Sequence, residues 1–386
     1  MRKKLAYLIK HNSVVQLIYR NIMSTLFRFV GLFVKTDNTL VLLNSYGGEQ
    51  YSDSPRVLYE KMLVDERFLQ YHFVWAFESP KKFDESNCPS VHNNRTSLVM
   101  IDSPAYFITA LKAKIWITNV NIERGLHFKK KSAIYLNTWH GSGFKKSGNA
   151  IKNRNDYDLS TVDIFCCDGA YMKDIFVKWF NAKESSMLYC GRPREDELIQ
   201  FTDDDRYSVR KDFGIPDNKR MILYMPTWRE YGVKELDYDL WRKQLGKEYI
   251  ICIRQHHFSE GKCSAFDPSY IIDMTGYPDV NKLYLAADIL VSDYSSAFFD
   301  YGLLGKPMFC YGYDYERYCE DTGLFLDIEK DFPNGVIRDE TKLIEAIKNI
   351  DYQSECKAAW DYCRKYVTRT GNATTMCLDR LTELIH

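Results

Sequence analysis

Asp288-Ile289-Leu290-Val291-Ser292-Asp293-Tyr294-Ser295-Ser296-Ala297-Phe298-Phe299-Asp300 reads as an apolar strand, a hydroxyl-rich turn and a helix that Gly305 closes. A strand that feeds directly into a helix is the unit from which parallel sheets are wound. Working outward, the same text recurs at Met221–Met225, Tyr249–Arg254, Tyr270–Asp273, Pro307–Tyr311 and Val336–Arg338. An earlier series reads as strands at Thr39–Asn44, Tyr71–Phe77, Lys114–Thr118, Ala133–Thr138, Asp163–Cys167 and Met187–Cys190. A polar stretch after Arg194, through Thr202-Asp203-Asp204-Asp205-Arg206, separates the two series. The expected fold is α/β, with two Rossmann-like doubly wound domains facing a cleft. The boundaries read as a basic segment over 1–36, an N-terminal acceptor domain over 37–200 and a C-terminal nucleotide-donor domain over 201–365. A C-terminal helix over 366–386 is able to pack back on the N-terminal domain.

The totals agree with that size. At 386 residues, 45% hydrophobic and 27% charged, the chain falls among folded proteins of two ordinary domains. Lys plus Arg and Asp plus Glu both number 52, so no overall field calls for nucleic acid. The 11 cysteines are scattered without a Cys-x-x-Cys, which suits reduced thiols in a cytosol better than a zinc or disulfide framework. Asp203–Asp205 carries an Asp-x-Asp spacing, but acids ahead of a helix complement its N-terminal dipole. No metal and no cofactor is expected.

Charge is uneven at the N-terminus. Residues 1–36 hold Arg2, Lys3, Lys4, Lys10, Arg20, Arg28 and Lys35, with no acid. Arg20 and Arg28 break the apolar run short of the ~18 residues a spanning helix needs. Helical apolar spacing with basic residues suits a helix lying on an anionic membrane surface, at the cytoplasmic face. A helix docked on its own domain is the alternative.

Ligands of wound sheets bind where strands end, so those residues carry the chemistry. Asn137-Thr138-Trp139-His140-Gly141-Ser142-Gly143, followed by Lys145-Lys146, sets a histidine between a strand and two glycines. His140 there suits a general base. Thr227-Trp228-Arg229 and Arg254-Gln255-His256 end two further strands with cations, which suits an anionic substrate and leaving group. Ser295 and Ser296 stand at a helix start, where free N–H groups cap the helix or hold phosphate. There is no Gly-x-Gly-x-x-Gly, Walker loop or Gly-x-Ser-x-Gly elbow.

Taken together, these segments resemble the CDP-glycerol glycerophosphotransferases of teichoic acid and capsule synthesis. The shared pieces are Thr138-Trp139-His140-Gly141 with Lys145-Lys146, Gly191-Arg192-Pro193-Arg194, Pro226-Thr227-Trp228-Arg229 and Arg254-Gln255-His256. The longest runs from Leu283 through Asp293-Tyr294-Ser295-Ser296 to Asp300-Tyr301, and Asn44-Ser45-Tyr46-Gly47-Gly48 suits the smaller, primase-like members. The resemblance implies a glycosyltransferase-B-like fold and transfer of glycerol phosphate from CDP-glycerol to a hydroxyl of a lipid-linked glycan, releasing CMP. It implies His140 as base and Arg254, His256, Ser295 and Ser296 as the pyrophosphate set, with Asp300 a site aspartate. Thr227, Arg229, Lys145 and Asp293 fall in the shared motifs as further substrate-binding candidates. Ribitol phosphate, another polyol phosphate or a nucleotide sugar are the alternative donors. The chain departs from the family pattern at Gly143 (usually Pro), Glu195-Asp196 (usually Asn-Asp) and Met225 (commonly Ala).

Overall fold

The computed structural model describes residues 13–152, 154, 156–255, 269–368 and 370–385. Two parallel sheets organise them. The first contains β1 (Asp37–Asn44), β2 (His72–Phe77), β3 (Thr96–Met100), β4 (Ala113–Thr118), β5 (Ile134–Asn137), β6 (Ile164–Cys166) and β7 (Met187–Leu188). Their order is β3-β2-β1-β4-β5-β6-β7, every pair parallel. The second contains β8 (Arg220–Met225), β9 (Tyr249–Ile253), β10 (Ile271–Asp273), β11 (Ile289–Ser292), β12 (Met308–Tyr311) and β13 (Val336–Ile337), in the order β10-β9-β8-β11-β12-β13. Both orders reverse direction once, between β1 and β4 and between β8 and β11. Those reversals open the crevices in which doubly wound sheets take ligands.

The sequence explains the winding. Strands such as Ile289-Leu290-Val291-Ser292 are buried along their whole length, as parallel strands covered by helices on both faces must be. β3 is the strand that the apolar pattern does not reveal. It is a half-exposed edge, Thr-Ser-Leu-Val-Met, and an edge strand needs only one covered side.

Each face of the first sheet meets a different end of the chain. Leu42, Trp116, Tyr135 and Phe165 pack on the side that also receives Met23, Phe27 and Val30 of the N-terminal helix Ser13–Phe33. Val41, Leu43, Ile117 and Leu136 pack on the other side with Cys377, Leu378 and Leu381 of the C-terminal helix Ala373–Ile385. The helix Tyr352–Tyr366 instead buries Ala359, Tyr362 and Cys363 in the core of the second sheet.

The N-terminal helix has two faces. Met23, Phe27 and Val30 dock, and Ser24 accepts the His127 amide at 3.0 Å. Arg20 donates to the Gly125 carbonyl at 2.6 Å and pairs with Asp156, and Arg28 donates to the His127 carbonyl at 2.7 Å. These two cations are therefore spent on the protein. At 100° per residue the opposite face carries Val14, Ile18, Ile22, Leu26, Phe29, Leu32 and Phe33, all exposed, Leu32 and Phe33 by 78% and 77%. What the helix presents outward is apolar more than basic. Among the described residues no helix is long and apolar enough to cross a membrane. Asp203–Asp205, read as a connector, form the first turn of the helix Asp203–Asp212. Thr202 and Asp205 close its capping box.

Candidate active site

The loops after β1, β4 and β5 converge on His140. Asn119, just past β4, accepts the Tyr46 amide on its side chain at 2.8 Å and the His140 Nδ1–H on its carbonyl at 2.8 Å. A carbonyl can only accept, so the proton resides on Nδ1 and Nε2 carries the lone pair. Burial pushes the His140 pKa below its ordinary 6.5; the Asn119 bond and Asp53 oppose that shift, while Arg194 and Arg192 add to it. The imidazole is thus neutral and oriented at neutral pH. Trp139 and Tyr46, whose rings flank it at 4.3 and 5.7 Å, both hold positive φ, +53° and +46°. Non-glycine residues held in that region cluster at functional sites.

His140 meets the second half of the molecule through its neighbour. A Cβ added to Gly141 would lie 2.8 Å from Ser296 Oγ, so the glycine lets the serine turn approach the backbone. Ser295 and Ser296 are half-buried ahead of the helix Ala297–Gly302, and Ser295 Oγ accepts the Ala297 amide at 3.2 Å. That turn contact uses one acceptor of Ser295 and leaves its hydroxyl hydrogen, and the N-cap Ser296 makes no side-chain capping bond. Arg254 lies half-buried at the carboxyl end of β9. His256 lies outside the described residues.

Asp300, three residues along the same short helix, is buried and engaged. Arg194 grips both its oxygens at 2.9 and 3.0 Å, and Arg192 reaches it at 3.3 Å. Arg194 also pairs with Asp53 and donates to the His140 carbonyl at 3.0 Å. Arg192 adds Asp168 at 2.9 Å, Glu195 and the Ser142 hydroxyl at 2.9 Å. Both arginines are at least nine-tenths buried. Burial works against charge on Arg194, but Asp300 and Asp53 hold its pKa well above the ordinary value. Burial raises Glu195 to about 8 against the opposition of Arg192 and Arg194, and the like charges of Asp168 and Asp300 add to the rise. The Gly191–Glu195 turn, entered through Gly191 at φ +74°, therefore ties His140 in one half to the Ser296 helix in the other. Glu195, one of the departures from the family pattern, supplies the capping box of that turn.

Thr227, Arg229 and Asp293 form a separate cage at the β8/β11 reversal. The Thr227 amide donates to Asp293 at 2.9 Å. Arg229 is fully buried against Asp293 at 2.8 Å and Asp314 at 2.9 Å, with the rings of Tyr294, Tyr313 and Tyr318 around its guanidinium. The cage is a wall, not an open cation. Lys145 approaches it from the other half. Phe144 buries among Phe298 and Phe299, and Lys146 and Phe325 close hydrogen bonds to Gly323 and Phe144 at 3.1 and 3.0 Å. Burial lowers the Lys145 pKa, and Asp293 opposes the shift. Gly143 is a second required glycine: a Cβ there would strike Ile175 at 2.3 Å.

The sequence motifs contained Tyr46, Arg192 and Arg194 without revealing their work, and gave no sign of Asn119, Asp53 or Asp168. An Arg-Pro-Arg placed between two strand series was the available signal.

Comparison with known proteins places this geometry. The sequence model of the CDP-Glycerol:Poly(glycerophosphate) glycerophosphotransferase family matches residues 26–370. A teichoic acid glycerol-phosphate transferase of Staphylococcus aureus is 30% identical over 367 residues, covering 88% of this chain and 90% of that protein. A teichoic acid poly(glycerol phosphate) polymerase of Staphylococcus epidermidis is 30% identical over 364 residues, 85% of this chain, which spans only 49% of that longer relative. The solved structure of the wall teichoic acid polymerase TagF is similar over 100% of this chain and 98% of its own, at 26% identity and a TM-score of 0.79. With that match along the sequence and through both sheets, the chain belongs to the CDP-glycerol:poly(glycerophosphate) glycerophosphotransferase family and has its glycosyltransferase-B-like fold.

Proposed function

We propose that this chain transfers glycerol phosphate from CDP-glycerol to a hydroxyl of a membrane-linked glycan or polymer in teichoic acid synthesis, with His140 as general base. The observation that carries the reading is the fixed tautomer of His140, one residue from the backbone that touches Ser296. Nε2 takes the acceptor proton as the acceptor oxygen attacks the phosphorus bearing glycerol. The bond from that phosphorus to the bridging oxygen breaks, and CMP leaves with the electron pair. Arg254, His256 and the Ser295–Ser296 helix start receive the growing charge, each well-placed donor contributing about 3 kcal/mol. Lys145 adds a cation from the acceptor side. Asp300, Asp293, Thr227 and Arg229 serve by fixing the walls between which the two substrates meet. A TagF variant with one histidine replaced by asparagine has been solved with CDPG soaked in, at a TM-score of 0.80 to this chain, which supports a CDP-linked donor here.

Glycerol is favoured over ribitol by the ordering of relatives. Glycerol-phosphate proteins reach 30–32% identity, whereas a ribitol-phosphate primase of Bacillus spizizenii stays at 23% across 95% of this chain. The outward apolar face of the N-terminal helix supports a peripheral position at the cytoplasmic membrane surface, where a lipid-linked acceptor resides. The test is CMP release and acceptor mass with CDP-glycerol, CDP-ribitol and a panel of UDP-sugars. Turnover confined to CDP-glycerol, with the acceptor gaining glycerol phosphate, is expected. Turnover with a UDP-sugar alone, or an undiminished rate in His140→Ala, overturns the reading.

A further inference from the structure

Cys166, at the end of β6, Cys190, in the turn after β7, and Cys377, in the C-terminal helix, come from three separate segments. Their Sγ atoms lie within 4.8 Å of one another, and Cys166 Sγ stands 3.3 Å from Cys377 Sγ. All three residues are buried, at 2%, 1% and 0% exposure. Among the described residues no other group of His, Cys, Asp or Glu side chains converges in this way. Each segment is anchored independently. β6 is laddered to β5 and β7, the Cys190 carbonyl accepts the Thr370 hydroxyl at 2.6 Å, and Asp196 caps the C-terminal helix at the Ala373 and Thr374 amides, both at 2.8 Å.

Metal–thiolate bonds of about 2.3 Å set three sulfurs roughly 3.8–4.0 Å apart. The observed spacing brackets that value, so no backbone movement is needed to enclose an ion. Sulfur ligands select thiophilic d10 ions, Cu(I) and Zn(II), over the hard cations. We propose that Cys166, Cys190 and Cys377 form an all-sulfur site for a single thiophilic d10 cation that fastens the C-terminal helix to the first sheet. On binding, each coordinating thiol releases its proton to solvent and no electron is transferred. With the sulfurs sealed from water, the ion enters as the helix docks during folding. None of the three cysteines is among the residues assigned to the transfer reaction, and occupancy of the cluster does not depend on which donor the enzyme uses.

The experiment refolds the full chain under anaerobic, reducing conditions with Zn(II) or with Cu(I), desalts it, and measures bound metal, thiolate-to-metal absorption and Tm. Retention of a single equivalent of either ion with a raised Tm is expected, and the two arms identify the ion. Cys377→Ala and Cys190→Ala should each lose at least about tenfold in affinity, a change of 1.4 kcal/mol or more, whereas Cys88→Ala, at a buried cysteine outside the cluster, keeps it. If Cys377→Ala fails to fold, Cys190→Ala alone decides. Wild-type protein that retains neither ion, retention unchanged in Cys190→Ala, or a Cys166–Cys377 disulfide in place of bound metal would each overturn the proposal.

Discussion

The position of His140 at the end of β5, ahead of Gly141 and Gly143, was legible in the sequence. Its partner was not, because Asn119 orients it through a backbone carbonyl that any residue could supply. The depressed pKa gives a signed prediction. As the proposed base, His140 is active when neutral, so kcat/KM should be flat above pH 6.5 and fall only below that value; the acid limb should vanish in His140→Gln, with a rate lower by about 10²–10⁴. Stability follows the same direction. The unfolded chain binds this proton more readily than the folded one, so the contribution is full above pH 6.5 and is lost as pH falls below it. Gly141 has a different weakness. Gly141→Ala should leave the fold intact yet push Ser296 away, and displacement near 1 Å at a reacting centre costs about 10²-fold in rate. Steady-state kinetics with CDP-glycerol and unchanged circular dichroism would check it. Arg229 shows where reading by position stops. Its cage depends on Asp314, which no strand-end pattern connects to it.

Strand text recovered both wound series, because buried parallel strands are runs of apolar residues with little ambiguity. It failed at β3, where exposure dilutes the signal, and at the Gly191–Glu195 turn, where the meaning of two arginines depends on carboxylates far along the chain. That turn is the element most exposed to substitution. Arg194→Met leaves the buried Asp53 without its cation and Asp300 with only the longer Arg192 contact, so a loss of roughly 3–5 kcal/mol is expected in denaturant unfolding. Arg194→Lys keeps the charge but not the two-pronged grip. It should recover part of the stability while CMP release stays low, because the His140 carbonyl and Asp300 are no longer held by one group. Equal recovery of both would show that the turn carries load without aligning the halves.

Taken whole, the molecule turns outward an apolar helix face backed by a docked one, with Arg20 and Arg28 bonded to the protein, and that apolar face is the one the proposed membrane position would use. Replacing Ile18, Ile22 and Phe29 with Ser should reduce co-sedimentation with anionic vesicles several-fold and leave turnover on a water-soluble acceptor unchanged. Salt should weaken that binding only modestly, because apolar burial is not screened. The first sheet also borrows its last helix from the far end of the chain: Leu378 and Leu381 complete the core around Val41 and Leu136. During synthesis the first sheet therefore leaves the ribosome with one face only partly covered, by the helix Asp53–Val64, and that face closes only after the whole second sheet has been made. Nascent chains of this enzyme should therefore be clients of holding chaperones until residues 373–385 emerge.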